Sequence, residues 1–471
     1  MLHISTRGEA PRLSFADAML AGLAPDGGLY VPEHWPYLDS RTIAGFAGRP
    51  YREVAATVLA ALSGEEGAAP PLGPALEAAY AGFRHPAICP LVQLGDTLFV
   101  QELFHGPTLA FKDLAMQLLG RLMDEALASR GRRATIVGAT SGDTGSAAVA
   151  AFEGSNRVDV VIFFPEGRVS DIQRRQMTSV AAPNVHAVAV DGSFDDCQAL
   201  VKAMFGDPAF RDEVQLSGVN SINWARVAAQ AVYFFTAAVA LGAPARPVAF
   251  SVPTGNFGDV FAGYVAGRLG LPIDQLLIAT NANDILARTL ATGTYELRSV
   301  VPTTSPSMDI QVSSNFERLL FEAYDRDAAA VRGLMGSLKQ AGAFTVAPAP
   351  LAAIRSRFGA TSVIEEQVAD EIGRTWREAG YLLDPHTAIG VTAARGRLAD
   401  RPDVPVVALA TAHPAKFPDA VERATGLRPA LPPHLADLLG RPERLTRIPN
   451  EIEAAKSFVR AQARAVRSQA A

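Results

Sequence analysis

The strongest constraint on the fold is a repeated succession of short apolar runs and helical segments. Each run ends in a turn rich in small polar residues and is followed by a segment with helical character. Strands that are apolar along their whole length and alternate with helices are typical of parallel sheets covered on both faces. The apolar runs lie at residues 134–140, 158–164, 185–190, 247–252, 276–280 and 404–411.

A long apolar helical segment at residues 225–241 separates two such series, and the chain of 471 residues exceeds one ordinary domain. We therefore expect an α/β protein with two doubly wound open-sheet domains. The predicted divisions are a helix-rich N-terminal region at 1–95 with a softer linker at 63–75, α/β domains at 96–215 and 216–425, and a helical tail at 426–471.

Charge and cysteine content exclude several function classes. The 43 basic and 48 acidic side chains give a net charge of −5, so no basic excess favours nucleic acid or an anionic membrane. Cys89 and Cys197 form no CxxC motif and have no Cys/His cluster beside them, which predicts reduced thiols and no metal site. The N-terminus has no signal-peptide pattern, and the apolar stretch 227–241 is too short to span a bilayer. We expect a cytoplasmic protein without membrane contact.

Polar loops follow three of the predicted strands, at residues 138–145, 253–259 and 410–417. Open α/β sheets bind ligands at the carboxyl ends of their strands. In the loop 253–259, Gly255 and Gly258 allow close main-chain approach, and the start of the following helix favours a phosphate. The loop lacks the patterns of a P-loop and of a dinucleotide site. A phosphate site and a purely structural turn both remain open on these residues.

Two further segments carry candidate chemistry. In the loop 138–145, Ser141, Thr144 and the main-chain amides could bind a carboxylate, although Asp143 would repel an anion unless it accepts a proton or holds an N–H. A capping turn is the alternative. Lys112 has apolar neighbours, and burial would lower its pKa and suit a Schiff-base nucleophile. A surface ion pair with Asp113 is the alternative there.

Together these segments resemble the threonine synthase family, in its bacterial and fungal branch, among fold-type-II pyridoxal-phosphate enzymes. The resemblance extends in order over nearly the whole chain and implies the tryptophan synthase β-like fold. It is carried by ISTRG (4–8), GLAPDGGLYVPE (22–33), HGPTLAFKD (105–113), GATSGDTG (138–145), GRVSDIQRRQM (167–177), NSINWAR (220–226), VPTGNFG (252–258), LLDPHTAIGV (382–391) and ATAHPAKFPDAV (410–421).

The resemblance implies a pyridoxal 5′-phosphate site. Lys112 matches the lysine that holds the cofactor as a Schiff base, and Thr411 matches a hydroxyl beside the pyridine nitrogen. Asp143 falls where other members carry an Asn near the ring hydroxyl. Asp259 stands where many relatives have Asn, so we expect it to bind phosphate through its main-chain N–H only. The phosphate loop comprises Gly255, Asn256, Phe257, Gly258 and Asp259.

The resemblance also implies substrate residues. Ser141, Gly142 and Thr144 match the loop that holds the substrate carboxylate. Ser221, Asn223 and Arg226 are hypothesised to bind a substrate phosphate, with the Arg226 guanidinium as a two-pronged donor. A cap for a helix beginning at Val227 is the alternative role for Arg226.

The implied reaction converts O-phospho-L-homoserine and water into L-threonine and phosphate, with Lys112 moving the protons. A neutral Thr411 hydroxyl makes the ring a weaker electron sink, which is a hypothesis for how transamination is suppressed. The alternatives are a sister lyase or dehydratase of the same fold, and a binding protein without activity. The sequence does not decide between a monomer and a homodimer.

Overall fold

The computed structural model describes residues 1–64 and 72–469, so residues 65–71 of the linker predicted at 63–75 lie outside the described residues. The strands are β1 (Leu2–Ser5), β2 (Leu13–Ser14), β3 (Tyr30–Pro32), β4 (Leu91–Gln93), β5 (Leu98–Glu102), β6 (Ala134–Ala139), β7 (Val158–Pro165), β8 (Val185–Val190), β9 (Leu216–Ser217), β10 (Val248–Pro253), β11 (Ile273–Thr280), β12 (Thr294–Glu296), β13 (Ala343–Thr345), β14 (Phe358–Ser362), β15 (Val406–Ala410) and β16 (Thr446–Ile448).

The α-helices are α1 (Phe15–Ala21), α2 (Ser40–Ala44), α3 (Tyr51–Ser63), α4 (Leu72–Tyr80), α5 (Lys112–Ser129), α6 (Asp143–Phe152), α7 (Asp171–Thr178), α8 (Phe194–Phe205), α9 (Pro208–Val214), α10 (Trp224–Ala240), α11 (Gly258–Arg268), α12 (Ile285–Thr292), α13 (Phe316–Ala323), α14 (Ala328–Ala341), α15 (Pro348–Arg355), α16 (Glu365–Ala379), α17 (Pro385–Asp400), α18 (Pro418–Thr425), α19 (Ile452–Gln462) and α20 (Arg464–Gln469). Short 3₁₀ helices lie at Pro306–Met308, Pro414–Lys416, Pro433–Leu435 and Leu438–Gly440.

Two large sheets confirm the predicted α/β class. One has six strands in the order β14-β11-β10-β15-β5-β4, parallel throughout except for β4, which is antiparallel to β5. The other has five parallel strands in the order β16-β8-β7-β6-β9. Strand β7 is buried along its whole length, as expected of a strand covered on both faces.

Helix α10 joins the parts of the molecule. It packs against α3 of the N-terminal region, against α5, which connects the six-stranded sheet to the five-stranded sheet, and against α11, which crosses from β10 to β11. Nearly every residue of α10 is buried, and a helix that is apolar on all sides can be stable only in such surroundings. The long apolar segment predicted between the two series is therefore a central core helix.

The sheets divide the chain differently from the predicted domain divisions. Strand β5, which falls in the predicted 96–215 unit, pairs with β15 in the six-stranded sheet. Strand β16, in the tail predicted to be helical, pairs with β8 in the other sheet. The N-terminal region adds a small antiparallel sheet, β2-β1-β3, to its helices. These strands have two to five residues, too few for a periodic pattern, and β5 and β16 have partners far away in the sequence.

Neither a membrane-spanning helix nor a metal-binding cluster is found in the described ranges. Across residues 1–64 and 72–469, no helix combines the length and the apolar character that a bilayer crossing needs. In the same ranges no group of three or more His, Cys, Asp or Glu side chains is arranged to hold a metal ion. Cys89 and Cys197 are both buried and unbridged.

Candidate active site

Lys112 is a buried amine at the first residue of α5. It is only 8% exposed, and its Nζ lies 3.3 Å from Oδ2 of Asp143. Its neighbour Asp113 is fully buried and accepts hydrogen bonds from the main-chain N–H (2.8 Å) and hydroxyl (2.6 Å) of Thr108. Asp113 therefore fixes the preceding loop, and the alternative of a surface ion pair between Lys112 and Asp113 does not hold.

The segment before Lys112 is held against the loop that carries Thr411. The Phe111 N–H donates to the Thr411 carbonyl (2.8 Å), and the His413 N–H donates to the Leu109 carbonyl (3.0 Å). Thr411 directly follows β15 and is 6% exposed. Two residues that the sequence placed in one site are thus brought together by main-chain hydrogen bonds between distant segments.

Asp143 is the centre of a buried polar cluster at the start of α6. Besides Lys112, its carboxylate accepts from Nζ of Lys416 (2.6 Å), Nε2 of Gln173 (2.9 Å) and the hydroxyl of Ser307 (3.1 Å). The Asp143 carboxylate therefore accepts from cationic and neutral donors, as is required if Asp143 is not to repel a nearby anion.

Sequence reasoning missed the other three members of this cluster. Lys416 lies in the same ATAHPAKF motif as Thr411, and Gln173 lies in the GRVSDIQRRQM motif, so the motifs that carry the resemblance contain both residues. Ser307 lies in a 3₁₀ helix outside every quoted motif, and no sequence signal pointed to it.

The charges in this cluster shift one another's pKa values. Burial raises the pKa of Asp143, but Lys416 and Lys112 outweigh burial and hold that pKa well below its usual range. Burial lowers the pKa of Lys112, Asp143 opposes the shift, and Lys416 and Arg226 add to it. A lowered lysine pKa increases the fraction of neutral, nucleophilic amine near pH 7.

His386 is a buried side chain at the start of α17. Its Nδ1 lies 2.7 Å from Oδ2 of Asp384, and its buried Nε2 has no hydrogen-bond partner within the part of the chain described. A positive charge on His386 would lower the pKa of Asp143. His386 lies in the quoted LLDPHTAIGV motif, but sequence reasoning gave it no role.

The loop between β10 and α11 turns its carbonyl groups toward the protein. The Asn256 carbonyl accepts from the N–H (3.1 Å) and Nδ2 (3.0 Å) of Asn315, and the Gly255 carbonyl accepts from the hydroxyl of Ser313 (2.7 Å). Phe257 has a left-handed φ of 63°, and its ring packs 5.4 Å from that of Phe316, which fixes the turn.

The N–H groups of this loop are left without acceptors. From Asn256 to Asp259, no main-chain N–H meets an acceptor within residues 1–64 and 72–469. A row of unpaired amides at a helix N-terminus is the arrangement that binds a phosphate. The loop predicted to bind phosphate thus has the local geometry for it.

Asp259 uses its side chain elsewhere. One carboxylate oxygen accepts from the hydroxyl of Tyr233 in α10, and the other is buried without a partner among the described residues. Burial raises the pKa of Asp259 to about 7, against the opposing effects of Tyr233 and Lys112. The side chain therefore contacts α10, which agrees with the expectation that only the Asp259 N–H is available to a phosphate.

The loop after β6 also presents unpaired donors. Oγ1 of Thr140 accepts from the N–H groups of Gly142 and Gly145, both at 2.9 Å, and so sets the turn. Gly142 has a φ of 141°, and a Cβ there would lie 2.3 Å from the side chain of Gln173. The half-buried Ser141 and Thr144 flank this turn at the start of α6. The hydroxyls of Ser141 and Thr144, together with the main-chain amides of this turn that do not bond Thr140, form a small site suited to a carboxylate.

The third predicted segment leads into α10. Asn223 is the N-cap: its amide oxygen accepts from the Ala225 N–H (3.0 Å), and its amide nitrogen donates to the Met19 carbonyl (2.9 Å). The helix begins at Trp224, so Arg226 is not its cap. A substrate contact by the Asn223 side chain would compete with these bonds, and its substrate role stays a prediction.

Arg226 is 2% exposed and close enough to Lys112 to lower that lysine's pKa. One guanidinium nitrogen donates to the Val219 carbonyl (3.1 Å), whereas the buried Nε has no partner in the described ranges. Burial lowers the pKa of Arg226 to about 10. Ser221 is half-buried, and its carbonyl accepts from Asn315, which also holds the loop at Asn256. A buried guanidinium with unused donors is suited to bind an anion.

These features together fit pyridoxal phosphate. Lys112 offers a buried amine for an aldehyde, and the amides from Asn256 to Asp259 offer a phosphate cradle at a strand-to-helix turn. Ser307 links the two: its hydroxyl bonds the Asp143 carboxylate that contacts Lys112, and its carbonyl lies 2.9 Å from where a Cβ on Gly255 would be, so the amine and the cradle belong to one site. Asp143 and Thr411 add polar groups beside the amine.

Comparison with known proteins agrees with this site. Residues 2–80 match the family described as threonine synthase N terminus, residues 88–335 match pyridoxal-phosphate dependent enzyme, and residues 387–459 match threonine synthase, C-terminal. Threonine synthase of Pseudomonas aeruginosa is 52% identical over 98% of this chain and 98% of its own. That of Schizosaccharomyces pombe is 43% identical over 90% of this chain and 89% of its own.

Solved structures show the same relationship. The crystal structure of PLP-bound threonine synthase from Brucella melitensis has a TM-score of 0.94 and 58% identity, covering 98% of this chain and 100% of that one. Threonine synthase from yeast has a TM-score of 0.91 and 38% identity, covering 98% of each chain. The chain therefore belongs to the threonine synthase family of pyridoxal-phosphate-dependent enzymes.

Proposed function

We propose that this chain converts O-phospho-L-homoserine and water into L-threonine and inorganic phosphate, using pyridoxal phosphate held by Lys112. The observation that carries the proposal is the buried Lys112 amine, 3.3 Å from Asp143, in one site with the row of unpaired amides at the start of α11. Membership of the threonine synthase family supports the reaction, and the anion-binding groups around Lys112 support a phosphorylated amino acid as substrate.

Lys112 is assigned the proton transfers. When bound, the cofactor supplies an electron sink for the electron pair left at the substrate α-carbon. The Lys112 amine, once free of the cofactor, would take the proton from Cα and then one proton from Cβ, so that the γ-phosphate can depart. It would return a proton to Cγ, which becomes the methyl group, and later a proton to Cα. The hydroxyl of water would add at Cβ, and the second proton of that water would be released. Its burial and its contact with Asp143 hold the amine in place for these steps.

The remaining groups are assigned to binding. Ser141 and Thr144 would hold the substrate carboxylate with their hydroxyls and amides at the start of α6, and Gly142, whose N–H is bonded to Thr140, would shape the turn between them. The amides from Asn256 to Asp259 would hold the cofactor phosphate. Arg226, assisted by Ser221, would hold the substrate phosphate.

Thr411 would set the electronic character of the ring. Its hydroxyl is neutral, so beside the pyridine nitrogen it cannot hold a proton there as a carboxylate would. We infer that this weakens the electron sink and disfavours transamination. The main chain of Thr411 is bonded to that of Phe111, the residue before Lys112, so the Thr411 hydroxyl and the Lys112 amine keep a fixed relative position.

The reaction is tested by its products. Incubation of the purified protein, with cofactor bound, with O-phospho-L-homoserine should release phosphate and threonine in equal amounts, measured by chromatography and a phosphate assay. Lys112→Ala should abolish both while the protein stays folded. A 2-keto acid with ammonia in place of threonine would contradict the proposal and identify a dehydratase-like lyase of the same fold.

The phosphate cradle is tested at Gly258. A Cβ at Gly258 would lie 3.3 Å from Nδ2 of Asn315, which holds the loop at the Asn256 carbonyl, so a leucine there should displace the loop and its amides, and Gly258→Leu should lose cofactor on dialysis. The matched control is Gly267→Leu at the far end of the same helix, where the nearest neighbour of a Cβ is 3.9 Å away. Absorbance and phosphate analysis give the cofactor content. Equal retention by both variants would remove this loop from the cofactor site.

The substrate phosphate is tested at Arg226. Arg226→Lys replaces a planar two-pronged donor with a point charge. Losing one charge-assisted hydrogen bond costs about 1.5–3 kcal/mol, so kcat/KM for O-phospho-L-homoserine should fall roughly ten- to a hundredfold. Cofactor content should stay unchanged. A folded variant with an unaltered saturation curve would show that Arg226 does not bind the substrate.

A further inference from the structure

Two lysines share the single carboxylate of Asp143. Lys416 Nζ lies 2.6 Å from one oxygen and Lys112 Nζ lies 3.3 Å from the other. All three side chains are buried, Lys416 completely. Two buried ammonium groups with one carboxylate leave one uncompensated positive charge, which is costly in a medium of low polarity. One of the two lysines should therefore give up its proton more easily than a lysine in water.

The contacts of the two lysines show which one supports an ammonium better. Lys416 has two close acceptors, Asp143 and the Thr108 carbonyl at 2.9 Å. Lys112 has one acceptor at a longer distance. Thr108 is itself bonded to Asp113, so the second acceptor of Lys416 is held in a fixed position. An ammonium is best stabilised where it has more and shorter hydrogen bonds to oxygen, so Lys416 is the firmer partner of Asp143 and the positive charge of Lys112 is the less supported one.

Other charged groups near the cluster act on the same balance. Arg226 in α10 lowers the pKa of Lys112, in the same direction as Lys416. Asp259 in α11 interacts with Lys112 in the opposite direction, but its own raised pKa of about 7 limits its negative charge near neutrality. The further titratable groups that interact with Asp143 or Lys416 are His386 of α17 and Asp113 of α5.

We propose that Lys416 is a positioning residue that binds Asp143 as a permanent counterion and thereby leaves Lys112 as a neutral amine. The proposal deepens the proposed function, because a neutral Lys112 is the form that can bond to the cofactor aldehyde and accept a substrate proton. Without Lys416, Asp143 would have Lys112 as its only lysine partner and would hold it as an ammonium. In the wild-type protein, Lys416 would have no contact with the reacting atoms and would act only through Asp143.

The test follows the protonation of Lys112 in the full chain after the cofactor has been removed. Limited acetylation with acetic anhydride over a range of pH, followed by peptide mass spectrometry, gives the pKa of Lys112 relative to the exposed Lys202. In Lys416→Met the pKa of Lys112 should rise, so the neutral fraction of Lys112 and its acetylation at pH 7 should fall several-fold.

A matched control separates this effect from the loss of any lysine–aspartate pair. Lys456 bonds Asp207 at 2.7 Å on helix α19, and Lys456→Met should leave the titration of Lys112 unchanged. If Lys416 only stabilised the fold, Lys416→Met would lower the unfolding temperature without moving that titration. A folded Lys416→Met protein whose Lys112 titrates as in the wild type would overturn the proposal.

A second variant covers the case in which Lys416→Met does not fold. In Asp143→Asn the carboxylate is lost while Lys416 and Arg226 remain, so the pKa of Lys112 should fall below its wild-type value. A value that stays or rises would contradict the proposal. Both titrations are made without cofactor or substrate. A result against the role of Lys416 can therefore occur while the product assay still shows threonine formation, and the product assay can fail while the titrations agree with the role of Lys416.

Discussion

The candidate active site depends on the buried carboxylate of Asp143. It accepts hydrogen bonds from Lys112 at the start of α5 and Lys416 after β15, and from Gln173 in α7. A buried carboxylate without such donors would be protonated or would destabilise the fold. Because the donors come from segments far apart in sequence, the same interaction that keeps Asp143 ionised also joins the two sheets at the site.

The sheets explain why these segments meet. Strands β6, β10 and β15 are members of parallel sheets whose carboxyl ends carry the loops to Asp143, to the phosphate cradle and to Thr411. The loops after β6 and β10 turn directly into helices, which leaves main-chain amides unpaired at these two turns. The loop after β15 leads into a 3₁₀ helix, and there the N–H groups of His413 and Ala415 are bonded within the protein. Helix α10 packs against α5 and α11 and holds the two halves in one arrangement. Binding groups thus arise from the architecture rather than from added elements.

Much of this arrangement could be predicted from the sequence, because the information was local. Continuous apolar runs indicated the long parallel strands, and the glycine-rich turns after them indicated the loops at Gly142 and Gly258. The proposed role of Lys112 needed the combined motifs, since a lysine followed by an aspartate at the start of a helix is usually a surface ion pair. What could not be predicted depended on contacts between distant segments: the pairing of β16 with β8, and the approach of Ser307 to Asp143.

We propose that Lys112, and not the neighbouring Lys416, carries the cofactor. Both amines contact Asp143, so proximity alone does not distinguish them. Borohydride reduction of the protein with its cofactor bound, followed by proteolysis and mass spectrometry, fixes the cofactor on the lysine that holds it. We predict a single modified peptide with the label on Lys112. A label on Lys416, or on any other lysine, would contradict it.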